Sequence, residues 1–274
     1  MTAQRLCARC SEPTEATDFV LGEVSRPLSY LVVIPVMVED YARRCLASIA
    51  CQKSAAGFDR DKVLVVDNSR EGFGQNMVEP YGFRVHRDCF GHNLGVARAW
   101  NIAANDVVER RLDYLIICSS LVVFGGYLQT NWIEQLSRHR GVPMVEATGH
   151  GWHLIAISGE VLRRVGVFDE NFYPAYLEEA DFLRRMDLAG VRAAWANVWV
   201  NAMSIGSALH AERVKCPWSE KMRYYAEKWG GDLGKERFTV PFNQAETHVS
   251  YWPKASVAEL AARYNLGPRG FGWW

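Results

Sequence analysis

Lys62-Val63-Leu64-Val65-Val66-Asp67-Asn68-Ser69 decides the fold. Four consecutive apolar residues, mostly β-branched, run without interruption and then meet three polar ones. A strand with one wet face alternates apolar and polar residues. A short run that is apolar on both faces reads instead as a strand covered on both sides. The polar tripeptide then stands at the carboxyl end of that strand, where open α/β sheets bind ligands. It is also what a simple strand-ending turn looks like.

The neighbouring segments repeat the pattern. Upstream, Leu31-Val32-Val33-Ile34-Pro35 is a second buried strand, ended by proline, and 40–50 follows with apolar residues at helical spacing. Downstream, the pattern predicts a short strand at 84–86, a helix over 93–108 and a strand over 114–123. Strands alternating with helices predict a mostly parallel sheet flanked by helices, an α/β fold. The second half begins with a loop and strand over 149–157. A helix over 159–165 follows, capped by Ser158 and closed by Gly166, then a turn at 168–172 and a helix over 176–188. A Trp-rich strand at 193–200 and a helix over 221–229, stopped by Gly230-Gly231, complete the reading.

The chain has 274 residues, 49% hydrophobic and 23% charged, which excludes disorder as its main state. Length and pattern suggest one domain with appendages: an N-terminal extension at 1–27, a core at 28–210 and a C-terminal helical and irregular extension at 211–274. The formal net charge of zero argues against a surface that tracks a nucleic-acid duplex. Met1 to Arg26 lacks an apolar signal region, which suggests a cytoplasmic protein. Cys7 and Cys10 form a C-x-x-C pair with no second pair to complete a zinc site. Cys45, Cys51, Cys89 and Cys118 read as buried free thiols. The longest apolar runs, 30–38 and 115–123, are too short to span a bilayer.

The sharpest chemical signal is Glu178-Glu179-Ala180-Asp181 at the start of the 176–188 helix. Acids in a first helical turn suit the helix dipole. Three within four residues, preceded by an aromatic loop, exceed what a cap requires. On a regular helix 178 and 181 share a face while 179 points elsewhere, so the three cannot all act on one atom.

Taken together, these segments resemble glycosyltransferase family 2, which has the GT-A fold. The resemblance covers roughly 28–207 and rests on five motifs in order. They are Val32-Val33-Ile34-Pro35 with the helix containing Arg44-Cys45-Leu46-Ala47-Ser48-Ile49, Val65-Val66-Asp67-Asn68-Ser69, Asn93-Leu94-Gly95-Val96-Ala97-Arg98-Ala99, the loop 165–172, and Glu178-Glu179-Ala180-Asp181-Phe182. It implies inverting transfer of a sugar from a nucleotide-sugar donor, a UDP-sugar first, to an acceptor hydroxyl on a glycan, protein or modified nucleotide. By motif position Glu179 is the first choice for the catalytic base, with Glu178 and Asp181 as runners-up. The alternative for Asp181 is a tie between its helix and the neighbours. The donor side is assigned to Pro35, Val36, Asp67, Asn68, Asn93, Gly95, Arg98, Ser119 and Ser120. The acceptor side falls to Trp152, His153, Tyr176 and Trp229. Around Trp229, Tyr224-Tyr225 and Tyr251-Trp252 suggest either an aromatic platform or a helical flap packed on the core.

The sequence departs from the family at the metal. Where an Asp-x-Asp-type motif is expected, the chain reads Ile117-Cys118-Ser119-Ser120-Leu121-Val122, and 114–133 contains no Asp or Glu. The histidine often found after the last core strand is replaced by Val200-Asn201-Ala202-Met203-Ser204. Hard divalent cations need oxygen ligands, so these losses argue against a bound Mn²⁺ or Mg²⁺. Either the diphosphate is balanced by other groups, with Arg98, His150, His153 and His210 as candidates, or catalysis is lost and the protein binds a sugar or a partner. A sugar nucleotidyltransferase ranks lower, because no glycine follows the first strand to cradle phosphate.

Overall fold

The computed structural model describes residues 26–51, 56–124, 131–147, 151–192, 218–244 and 255–263. Six strands form one sheet: β1 (Tyr30–Val36), β2 (Val63–Asp67), β3 (Arg84–His86), β4 (Tyr114–Cys118), β5 (Met144–Glu146) and β6 (Leu154–Ser158), in the order β3-β2-β1-β4-β6-β5. β3, β2, β1 and β4 run parallel, and β6 runs antiparallel to both β4 and β5. The sheet is thus mostly parallel as expected. The reversal at β6 follows from the short β5–β6 connection, because a parallel neighbour requires a crossover of a dozen or more residues.

Eight helices accompany the sheet among the described residues: α1 (Glu39–Ala50), α2 (Gly74–Val78), α3 (Val96–Glu109), α4 (Trp132–Arg138), α5 (Gly159–Val165), α6 (Glu178–Leu188), α7 (Trp218–Trp229) and α8 (Val257–Arg263). Alternate residues of a strand face opposite sides of its sheet, and here both sides are apolar. Val32, Ile34 and Val36 of β1 pack with Cys45, Leu46 and Ile49 of α1 and with Trp132 of α4. Leu31 and Val33 pack with Ala99, Trp100 and Ala103 of α3 and with Phe182 of α6. Full burial of each large apolar side chain stabilises the fold by about 1.5–3 kcal/mol, so the uninterrupted strand runs hold the sheet between its two helical layers.

Several boundaries differ from the sequence reading. The third helix begins at Val96 and not at 93, because Gly95 takes φ 77° and its amide donates to Asn93 Oδ1 at 2.7 Å. β4 ends at Cys118, where Ser119 turns and donates its amide to the carbonyl of His153. α6 begins at Glu178, because Tyr176 (φ 75°) and Leu177 (φ 73°) are left-handed. Cys45 and Cys118 are buried free thiols, whereas Cys51 and Cys89 are exposed, contrary to expectation. Both exposed cysteines sit in connecting segments outside the helices and strands, and such segments run over the surface. Cys7 and Cys10, the 193–200 strand, His150, His210 and Tyr251-Trp252 lie outside the described residues.

Helix α7, in the last quarter of the chain, is packed onto the core. Tyr225 and Trp229 form a buried cluster with Phe172 and Leu177. Among the described residues no helix is long and apolar enough to cross a membrane.

Candidate active site

The carboxyl ends of β1, β2 and β4 open on a cavity of about 400 Å³. β4 leaves β1 after Val33, while β2 stays paired with it as far as Val36. Pro35, which has no N–H to give a ladder, lines the opening left between β1 and β4.

One wall is built around Asn68 and Asn93. Asn68 Oδ1 accepts from the amide of Leu94 at 3.0 Å, and Asn68 donates its own amide to Val36 O at 2.8 Å. This joins β2, β1 and the loop before α3. That loop is pressed against the segment leading to α6. Tyr173 donates its hydroxyl to Asn93 O at 2.8 Å, and the Val96 amide donates to Pro174 O at 2.7 Å. A Cβ on Gly95 would stand 2.8 Å from the Tyr173 ring, so glycine is required there by space as well as by its φ.

Trp100 and Trp152 make another part of the lining aromatic. Trp100 and Trp152 stack at 5.9 Å between centroids, and Phe168 meets Trp100 edge-on at 4.9 Å. Behind the lining, Phe168 in turn stacks on Phe182 of α6 at 4.6 Å, which joins these aromatic residues to the acidic helix.

Glu178 and Glu179 close the cavity at the start of α6. Glu178 is 3% exposed and Glu179 is partly buried. The Oε2 atom of each is buried without a hydrogen-bond partner among the described residues. Burial pushes the Glu178 carboxyl well above the usual carboxylate range, and the charge of Glu179 pushes it further, with its own backbone amide and Lys221 acting against both. Burial also raises Glu179, offset in part by backbone hydrogen bonds at Glu179 and Leu177 and by Lys221. Lys221 belongs to α7, is 3% exposed, and donates to the carbonyl of Ala175.

Asp181 lies on the other side of the same turn and does not line the cavity. It is fully buried and accepts from Arg185 Nε at 2.9 Å and Trp229 Nε1 at 3.0 Å, while Lys228 Nζ stands 2.6 Å away. Burial raises its carboxyl, but Lys228 and then Arg185 outweigh that and hold it below the ordinary range. Lys228 also reaches Asp169 at 2.7 Å, and Tyr224 donates to the same carboxylate oxygen at 2.8 Å. The helical-wheel expectation is therefore corrected: the pair sharing the cavity is 178 and 179. Glu178 opens the helix directly after two left-handed residues, so the chain's entry there sets where its side chain goes as much as the helical repeat does.

The remaining assignments divide clearly. Pro35, Val36, Asn68, Asn93, Gly95, Ser119 and Ser120 line the cavity, together with Trp152, His153 and Tyr176. Asp67, Arg98 and Trp229 do not. Asp67 is 1% exposed and its oxygens are occupied by the amides of Ser69 and Gly74, the Ser69 hydroxyl, and Arg87 at 3.1 Å. Arg98 turns to Glu170, 3.6 Å away. Trp229 is fully buried and gives its indole N–H to Asp181, so it packs in the core and offers no acceptor surface. Sequence reading missed Lys221. Its signal was a lysine in register with Tyr225, Lys228 and Trp229 along the buried stripe of α7.

The described residues do not fit the expected divalent cation. Ser119 and Ser120 occupy the motif's place, and the Ser119 hydroxyl already accepts from the amide of Leu121. Among the described residues, no group of three or more His, Cys, Asp and Glu side chains is placed to hold a metal ion. The second expected ligand position, 200–204, lies outside them.

No family model and no curated protein matches the chain. Solved structures do. The mannosyltransferase PcManGT from Pyrobaculum calidifontis, in complex with GDP-Man and Mn²⁺, is 17% identical at a TM-score of 0.52, over 69% of this chain and 61% of that one. TarS from S. aureus is 15% identical at a TM-score of 0.48, over 62% of this chain and 35% of that one. Glucosyl-3-phosphoglycerate synthase from Mycobacterium tuberculosis, in complex with Mn²⁺, UDP and glucosyl-3-phosphoglycerate, is 14% identical at a TM-score of 0.45, over 68% and 75%. The chain thus spans 61% of the length of PcManGT and 35% of that of TarS. The likeness to PcManGT shows the fold: this is a GT-A-type glycosyltransferase fold.

Proposed function

We propose that the protein is an inverting glycosyltransferase of the family 2 type, moving a sugar from a nucleotide-sugar donor, a UDP-sugar first, to an acceptor hydroxyl without a bound metal ion. The observation that carries this reading is the carboxyl pair Glu178–Glu179, with unpartnered oxygens, in a cavity at the carboxyl ends of the parallel strands. A ligand in that position is what an open α/β sheet accommodates.

Glu179 is the base, because it is the less buried of the two and so bears charge at lower cost. The acceptor oxygen bonds to the anomeric carbon as its proton passes to Glu179. The bond from that carbon to the diphosphate oxygen breaks, and its electron pair leaves with the diphosphate. Attack from the face opposite the leaving group inverts the anomeric centre. Asn68, Asn93 and the Gly95 backbone face the donor. The hydroxyls of Ser119 and Ser120, with His153, are the described polar groups near the leaving diphosphate. Trp152 and Tyr176 give the acceptor an aromatic surface.

Thermal shift against a panel of nucleotide sugars, each with EDTA or with Mn²⁺, tests the reading. A donor-specific shift that survives EDTA is expected. No shift with any donor sinks the transferase and leaves a binding protein, and a shift that requires Mn²⁺ sinks the metal-free site. With a donor in hand, Glu179→Gln is expected to lower transfer by about 10²–10⁴-fold and leave donor binding unchanged.

A further inference from the structure

We propose that Lys221 is a positioning residue for the Glu178–Glu179 pair: reaching in from α7, it anchors the approach to α6 and sets a single positive charge against two buried carboxyl groups, so that the pair works as one carboxylate, on Glu179, and one neutral carboxyl, on Glu178. The assignment of the carboxylate rests on the reading of Glu179 as the base.

Two independent features point to this. The first is placement. Lys221 lies at the amino-terminal end of α7, is 3% exposed, and donates to the carbonyl of Ala175, just before the left-handed residues Tyr176 and Leu177. Its ammonium also stands 5.9 Å from the Tyr176 ring centroid. A lysine buried this deeply is rare without an electrostatic reason.

The second is charge balance. On the far side of α6, Asp169 and Asp181 face Lys228 and Arg185, two acids against two bases. On the cavity side, Lys221 is the one positive charge that acts on Glu178 and Glu179 among the described residues. His153, from the turn before β6, and Tyr176, from the approach loop, are the other titratable groups lining the cavity. Two adjacent buried carboxylates with one counter-charge do not both ionise at neutral pH. The proton stays on the more buried Glu178. There it is available as a hydrogen-bond donor toward an oxygen of the bound ligand, while Glu179 accepts.

Carboxyl ¹³C shifts of the full chain labelled at glutamate, followed by NMR across pH and assigned with the Glu178→Gln and Glu179→Gln variants, test this without any substrate. The expected result is two separated steps, Glu179 ionising first and Glu178 still protonated at pH 7. In Lys221→Gln, the Glu179 step is expected to move up by about one pH unit, and Lys221→Arg to restore it. Ordinary carboxylate titration of both groups in the unaltered protein overturns the proposal, whether or not the variants fold. So does a folded Lys221→Gln with an unmoved Glu179 step. Failure of the nucleotide-sugar panel leaves this result standing, so the two readings fail separately.

Discussion

The two sides of the first turn of α6 hold acids of the same kind and put them to different ends. On one side Asp181 is sealed from solvent and met by Arg185, Lys228 and Trp229, so both carboxylate oxygens have partners and the charge is held in place. On the other side Glu178 and Glu179 face a cavity, each with an oxygen lacking a partner among the described residues, where Lys221 is the one positive charge that acts on them. The difference teaches that counter-charge and access, more than residue type or helix position, separate an acid that ties elements together from an acid available to a ligand. α7 supplies one lysine to each side, Lys228 and Lys221, from one buried stripe. The C-terminal segment is accordingly part of the site's electrostatics.

The comparison breaks most readily at Lys228. Lys228→Met leaves Asp169 and Asp181 without their shared partner, and breaking a buried pair from one side costs about 3–5 kcal/mol. Urea unfolding should show that loss. A loss below about 1 kcal/mol would place the network among decorative contacts. Asp181→Asn belongs to the same side and should destabilise in a pH-dependent way. The carboxyl of Asp181 is held low in the fold, so its contribution is present above the unfolded carboxyl pKa and disappears as pH falls through the folded one.

Glu178→Gln sharpens the contrast with the opposite sign. A carboxyl raised by burial makes the folded state bind the extra proton, so its contribution is full below the unfolded pKa and is lost as pH rises through the folded value. The variant should match the wild type within about 1 kcal/mol near pH 5 and exceed it at pH 9. Glu146, pushed up to about 7 by burial, adds a slope of the same sign, so the difference between variant and wild type is the quantity to read. If Glu178→Gln instead loses stability at pH 9, the carboxylate is satisfied and the contrast fails.

The smallest effect sets the scale. Arg43 and Glu39 form an exposed i,i+4 pair at 2.5 Å, and Arg43→Ala should change unfolding stability by about 0.5 kcal/mol or less. A larger change would mean that surface pairs count here as much as the buried network does.

Much of the fold was legible in the chain. Continuous apolar runs marked β1, β2 and β4, because a strand covered on both faces needs no polar alternation. Short elements were harder. α4 is seven residues long and went unread, although Asn131, which caps it by accepting from the Glu134 amide, signals its start. β5 has three residues and offers no periodicity to detect. Within the site, motif position led to Pro35, Asn68, Asn93, Gly95 and the acid pair, and the strand ends and aromatic loops supplied the other six assigned residues that line the cavity. Asp67 was legible as a polar strand end, but whether its carboxylate faced a ligand or its own turn depended on the amides of Ser69 and Gly74 and on Arg87.

The sequence by itself determined the buried strands β1, β2 and β4, the longer helices that cover them and the place of the acidic turn, because periodicity and strand-end chemistry are local properties of the chain. Only the tertiary structure decided which acid faces the cavity and which is neutralised. Lys221 and Lys228 lie about 40 residues or more beyond those acids, and their effect depends on where α7 docks. Charge compensation acts through space and requires burial, so it exists only once the two helices have packed.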